Sequence, residues 1–137
     1  MSSPGIPESL RRGNTVAVTL EGSLPGGSIA VDDVSIPIKY AKIDAASSGD
    51  NTLVTAVTGK KIRVVSLVLV SAGTVNVRFE SGASGTALTG QMNLIANTGF
   101  ALNFNPGGWF ETAAAALLNL ELSDAISVDG SLSYIEV

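Results

Sequence analysis

Few side chains of this sequence could do chemistry. The aspartates stand as Asp32-Asp33, Asp44, Asp50, Asp124 and Asp129. A calcium loop needs several oxygen donors at fixed spacing. No D-x-D-x-D-G pattern is present, and most of these acids stand beside Gly, Ser or Asn, so turns are expected there. A glycosidase needs two carboxylates across a cleft, and nothing points to such a pair. Thr58-Gly59-Lys60-Lys61 lacks the second glycine and following helix of a phosphate loop. Two readings stand for Lys60 and Lys61: a solvated turn, or a basic tip that meets an acidic partner surface. The chain has no His and no Cys. That removes a Ser-His-Asp triad, Cys nucleophiles, Cys/His metal sites and disulfides. A Ser-Lys pair needs a buried Lys of lowered pKa, and no local signature supports one.

Two further features suggest contact rather than catalysis. Phe100, Phe104, Trp109 and Phe110 cluster around Asn105-Pro106-Gly107-Gly108. Rings of this kind plug a sandwich core or an interface, or stack on a ligand. Arg11-Arg12 closes a Pro- and Gly-interrupted segment. The pair could dock onto carboxylates of a neighbouring subunit, or simply solubilise a tail.

The elements that must position these residues read as strands. Residues 1–14 form an extended arm, because Pro4, Gly5 and Pro7 block regular structure. Thr15–Leu20 alternates as a short strand. Pro25-Gly26-Gly27 marks a turn. Ser28–Val31 and Val34–Ile38 flank Asp32-Asp33, with Pro37 confining the second to an edge or a strap. From Lys42 onward strand-like runs recur: Lys42–Ala46, Thr52–Val57, Lys61–Val70, Thr74–Glu80, Thr86–Leu88, Met92–Ile95, Phe100–Phe104, Leu117–Leu122, Ala125–Val128 and Leu132–Val137. Gly-, Asn- and Ser-rich turns separate them. Asp129-Gly130 predicts a two-residue hairpin. Lys61–Val70 is rich in β-branched residues and Leu, so it is expected to be buried on both faces or to cross the middle of a sandwich. Thr112–Leu118 has helix propensity, but Leu118, Leu120 and Leu122 alternate as a strand does. The expected fold is all-β: a β-sandwich or jelly-roll body, 42–137, preceded by an extended N-terminal arm with short strands, 1–41.

Composition narrows the partners. The net charge is −4 with 8 Lys+Arg, which argues against nucleic acid. Charged residues are 15% of the chain, against about 25% in an average domain. So few charges on a small domain leave two readings: apolar surface covered in a homo-oligomer or larger assembly, or a monomer surfaced by Ser, Thr, Gly and Ala. No apolar run approaches the length of a membrane helix. Met1–Leu10 holds no signal-peptide core, so use without Sec export is expected.

The stretch Asp44–Val137 resembles a known group of proteins. Its runs SGDNTLVTAVTGKKIRVVSLVLVSAG, VRFESGASGTALTG, NPGGWFETAA and VDGSLSYIEV are similar, in texture and phrase order, to small structural proteins of tailed bacteriophages. The resemblance implies a head decoration, or cement, protein. Such proteins commonly assemble as trimers on the capsid exterior and reach neighbouring capsid subunits with terminal arms. It therefore implies a non-enzymatic virion protein, assembled in the host cytoplasm, whose partners are the major capsid protein and copies of itself. It supplies no catalytic residue and no cofactor. Candidate partner-binding residues are Arg11, Arg12, Lys60, Lys61 and Trp109. The alternatives are a glycan- or receptor-binding module of a phage fibre, or another head or tail component.

Overall fold

The computed structural model describes residues 27–137. The expectations for residues 1–26, including the arm, the strand at 15–20 and the Arg11-Arg12 pair, lie outside the described residues. Twelve strands follow in order: β1 Ser28–Val31, β2 Val34–Pro37, β3 Lys39–Ala45, β4 Gly49–Val54, β5 Ile62–Ser71, β6 Val75–Ser81, β7 Thr86–Ala87, β8 Met92–Leu94, β9 Thr98–Leu102, β10 Phe110–Glu111, β11 Leu118–Leu122 and β12 Val128–Glu136. No helix forms among the described residues. Around 112–116 the helix formers give way to a turn, in which Ala115 takes a φ of +62°.

The strands make two five-stranded antiparallel sheets. One runs β10-β5-β12-β3, with β9 following β10 along the same edge of β5. The other runs β4-β11-β6-β7, with β8 also beside β6. The chain passes from sheet to sheet at β3–β4, β4–β5, β5–β6, β8–β9, β10–β11 and β11–β12. Each long strand therefore pairs with partners distant in sequence. This is the two-sheet strand order of a jelly roll, and the fold is an all-β sandwich.

Alternation fills the space between the sheets. Ile43 and Ala45, Ile62, Val64, Leu67 and Leu69, and Val128, Leu132 and Tyr134 point inward from one sheet. Val75, Val77 and Phe79, with Leu118, Leu120 and Leu122, meet them from the other. The Phe79 ring stacks obliquely on Phe110, with centroids 4.8 Å apart.

A bulge explains the long apolar run in β5. Ser133 faces Ser66, but Tyr134 faces Val64, so Val65 is an extra residue on β5. The extra residue breaks the alternation, so that the consecutive residues Val65 and Ser66 both lie on the outer side of the sheet. Val64 enters the sandwich, while Val65 joins Ile29 and Ile135 in a second, smaller core outside it. That core lies under the β1–β2 hairpin, whose Val31 and Ile36 pack against it. The hairpin turns at Asp32 and Asp33, both at positive φ, as a two-residue loop of this twist requires. It covers one end of the sheet's outer face. Strand β3 then crosses the division expected at residues 41 and 42.

The Asp129-Gly130 signal misleads. Both residues lie inside β12, which runs unbroken from Val128 to Glu136. The glycine answers a close approach instead of a turn: a Cβ on Gly130 would run into the Val68 carbonyl oxygen of β5.

Candidate functional site

The most connected polar group lies on the outer face of the β4-β11-β6 sheet. Alternation puts Arg78 and Glu80 of β6 there, opposite Glu121 and Asn119 of β11, and Asp50 of β4 lies opposite Glu121. Arg78 donates through Nε to Glu80 at 2.9 Å and through Nη2 to Glu121 at 2.8 Å. The Asn119 amide donates to Asp50 at 2.8 Å and to Glu80 at 2.9 Å, and its oxygen accepts from the Asn51 N–H. Ser84 donates to Asp50 through both its backbone N–H and its hydroxyl. Glu80 and Asn119 are fully buried within this network.

The electrostatics follow from burial and these bonds. Burial pushes the Glu80 carboxyl above the ordinary range, and its contact with Glu121 adds to that. Glu121 is lowered, first by the hydrogen bond it shares with Glu80 and then by Arg78. Asp50 is lowered, chiefly by the Ser84 backbone N–H. The three carboxylates come within 4.8 Å of one another, a spacing that can hold a hard cation. Here the Arg78 guanidinium is the cation between two of them. The arrangement fastens three strands together.

The signs give a pH dependence. Asp50 and Glu121, and likewise Glu111 beside Arg63, sit below their unfolded values of about 4. Their stabilisation is present above those values and is lost as pH falls through the folded ones. Glu80 has the opposite sign: its contribution fades as pH rises from the ordinary value through the raised one. Urea midpoints should therefore fall on acidification below about pH 4. As pH rises above that point, wild type should lose stability that a Glu80→Gln variant keeps. Parallel profiles for the two proteins would contradict this assignment.

The outer face of the other sheet has a different character. Register places three rows across it: Ser66, Ser133 and Tyr40; Ala101, Val68, Ser131 and Lys42; Gly99, Val70, Asp129 and Asp44. Val68 and Val70 are 50% and 47% exposed at its centre. A cavity of about 260 Å³ opens there, bordered by Tyr40, Val68 and Ser131 and by the hydrogen-bonded hydroxyls of Ser66 and Ser133. The β1–β2 hairpin covers only the end of the face beyond Val65.

Trp109 belongs to neither core. It is 47% exposed, and Phe104 is 56% exposed. The turn between them is held firmly. Asn105 N–H donates to the Val65 carbonyl and Trp109 N–H to the Val64 carbonyl. Asn105 Oδ1 accepts from Gly107 N–H, and the indole N–H donates to the Asn103 carbonyl at 2.8 Å. Gly108 is at φ +86° with the Arg63 stem against it. Of the readings for these rings, plugging the core does not hold for Trp109 and Phe104, because both flank a turn hung on the outside of β5. Phe100 and Phe110 do pack against the core, but the central ring is Phe79.

Lys60 is exposed in a turn closed by its own N–H to the Val57 carbonyl. Lys61 pairs with Glu111 at 3.5 Å, and Arg63 pairs with the same carboxylate at 2.8 Å. So Lys61 is linked through Glu111 to the segment that carries Trp109, whereas Lys60 borders a separate groove with Pro37, Lys39 and Glu136. Arg11 and Arg12 lie outside the described residues. Asp50 and Asp129, expected in turns, lie in strands, and Asp44 lies in β3, within the expected Lys42–Ala46 run. Glu80, Asn119 and Glu121 escape sequence reasoning. The available signal was the i, i+2 spacing of Arg78 with Glu80 and of Asn119 with Glu121, which puts each pair on one face of a strand.

No family model matches the chain, and no curated protein matches it.

Proposed function

We propose that this chain is a non-enzymatic structural protein of a tailed-phage virion, a decoration protein that binds the outside of the capsid and bridges neighbouring subunits as a homo-oligomer. The observation that carries the reading is the outer face of the β3-β12-β5-β9 sheet. Two aliphatic side chains, Val68 and Val70, stand half exposed on a face whose other members are Ser, Ala and Gly, with Tyr40, Lys42, Asp44 and Asp129 on its β12 and β3 side, next to a hairpin that covers only one end. An apolar patch with a polar surround is suited to burial against protein. The phrase order of residues 44–137 supports the same reading. Several weak contacts on one oligomer would raise the effective concentration of each next contact, which is how a small domain ties a lattice together.

Val68→Asp and Val70→Asp test the face. Both side chains are half exposed, so the fold should persist. Binding to phage heads should weaken at least about tenfold, the effect of placing one uncompensated charge in an interface core. Unchanged binding in both variants would remove the face from the contact.

The exposure of Trp109 favours a second reading, a glycan-binding module. The ring is the sole Trp of the chain, so its fluorescence reports on that turn alone. Under the decoration reading its emission should not respond to a panel of phage-receptor glycans. A saturable shift with one of them would favour the second reading.

A further inference from the structure

Strand β3 closes one side of its sheet. It pairs with β12 along Lys39–Tyr134 to Ala45–Val128, and among the described residues no strand pairs with its other edge. Along Ala41–Ala45 such an edge presents a row of backbone donors and acceptors to a second chain. Two charges mark its outer face. Lys42 and Asp44 point the same way, both are well exposed, and their charged atoms lie 3.7 Å apart.

We propose that β3 is a dimerisation edge, joining two copies of this chain antiparallel about a two-fold axis at Ile43. The inference goes beyond the decoration reading and stands without it. A two-fold edge must carry a surface complementary to itself. Continuity of the sheet requires outer-face residues to meet outer-face residues, so only registers two residues apart compete. With Ile43 on the axis, Lys42 of each copy faces Asp44 of the other, and Ala41 faces Ala45. A shift of the axis to residue 42 sets Lys42 against Lys42. A shift to residue 44 sets Asp44 against Asp44. Like charges directly opposite destabilise a strand pair, and unlike charges support it. The two charges therefore select one register out of the three. A lone Lys on an edge strand keeps other chains away, but Asp44 cancels that repulsion in this register. Small side chains at Ala41 and Ala45 leave the backbones free to approach. Main-chain hydrogen bonds supply the affinity, and the ion pairs fix the register.

The test is the mass of the full chain in solution by light scattering, at several concentrations, for wild type, Lys42→Asp, Asp44→Lys and the exchange variant carrying both changes. One chain is 13.9 kDa. Wild type should show an even number of chains. Each single variant should halve that mass, and the exchange should restore it, because the exchanged pair is complementary again. Both side chains are exposed, so far-UV circular dichroism should be the same in all four. A wild type that stays a single chain or forms an odd-numbered oligomer at every concentration would overturn the proposal. So would single variants of unaltered mass. Slow hydrogen exchange of the β3 amides in a protein of single-chain mass would place a segment of the same chain on this edge, and would overturn it as well.

Discussion

Asn119→Leu is expected to lower the unfolding free energy by about 2–4 kcal/mol, the cost of stranding several buried polar groups at once. Leu matches the size of Asn closely, and its neighbours on β11 are leucines, so packing alone would not oppose it. The loss is polar. Asp50 and Glu80 each lose a donor, and the Asn51 N–H loses its acceptor. Glu80 is the critical member, since its side chain is 1% exposed and water cannot replace the amide. An Asn119→Asp variant sharpens the test. It adds a fourth carboxylate to the cluster, so it should be less stable than Asn119→Leu at pH 7 and recover part of the difference near pH 4. Urea unfolding at the two pH values measures both effects. Equal losses at both values would mean that charge is not what Asn119 manages.

Phe79→Ala should cost about 3–5 kcal/mol, the usual range for deleting a fully buried ring. Phe79 is wholly buried between the sheets and packs on Phe110. Its neighbours lie in two hydrogen-bonded sheets and cannot collapse into the space, so a cavity remains. Phe79→Leu keeps most of the volume and should cost under about 1.5 kcal/mol. Phe110→Ala should cost less than Phe79→Ala, because Phe110 is only partly buried. Chemical unfolding of the three variants gives the order directly. Similar losses at positions 79 and 110 would move the centre of the core away from Phe79.

Much of the fold was legible because alternation is a local property. The runs at Thr74–Glu80 and Leu117–Leu122 show strand period, and β6 and β11 fall within a residue of them. Pro37 marked an edge, and β2 is one arm of a two-stranded hairpin. Three matters were hidden, each because it depends on contact between distant segments. Gly130 looked like half of a hairpin turn, but its reason is the carbonyl of Val68 on the neighbouring strand. Val65 looked like one more apolar residue in a run, but the bulge opposite Ser133 sends it to a different core. Glu80 looked like a solvated acid on a strand, whereas Arg78 and Asn119 let it be buried. The jelly-roll order itself follows from pairings such as β5 with β12, which no local pattern records.

The candidate surfaces were legible in type more than in place. Trp109 stood out by rarity, and the fold leaves it half exposed. Val68 and Val70 did not stand out, because an apolar residue in a strand gives no sign of which face stays uncovered. Among the described residues, the β1–β2 hairpin ends short of them and leaves the pair exposed.

The account centres on attachment of this chain to a capsid. The most direct test of the proposed role is co-sedimentation of the purified protein, over a range of concentrations, with intact heads of the phage that would encode it, stripped of any copies they carry. The account predicts saturable binding at a fixed ratio to capsid subunits, and heads that open at a higher temperature once saturated. Protein that stays in the supernatant at every concentration, with the heads intact, would contradict it.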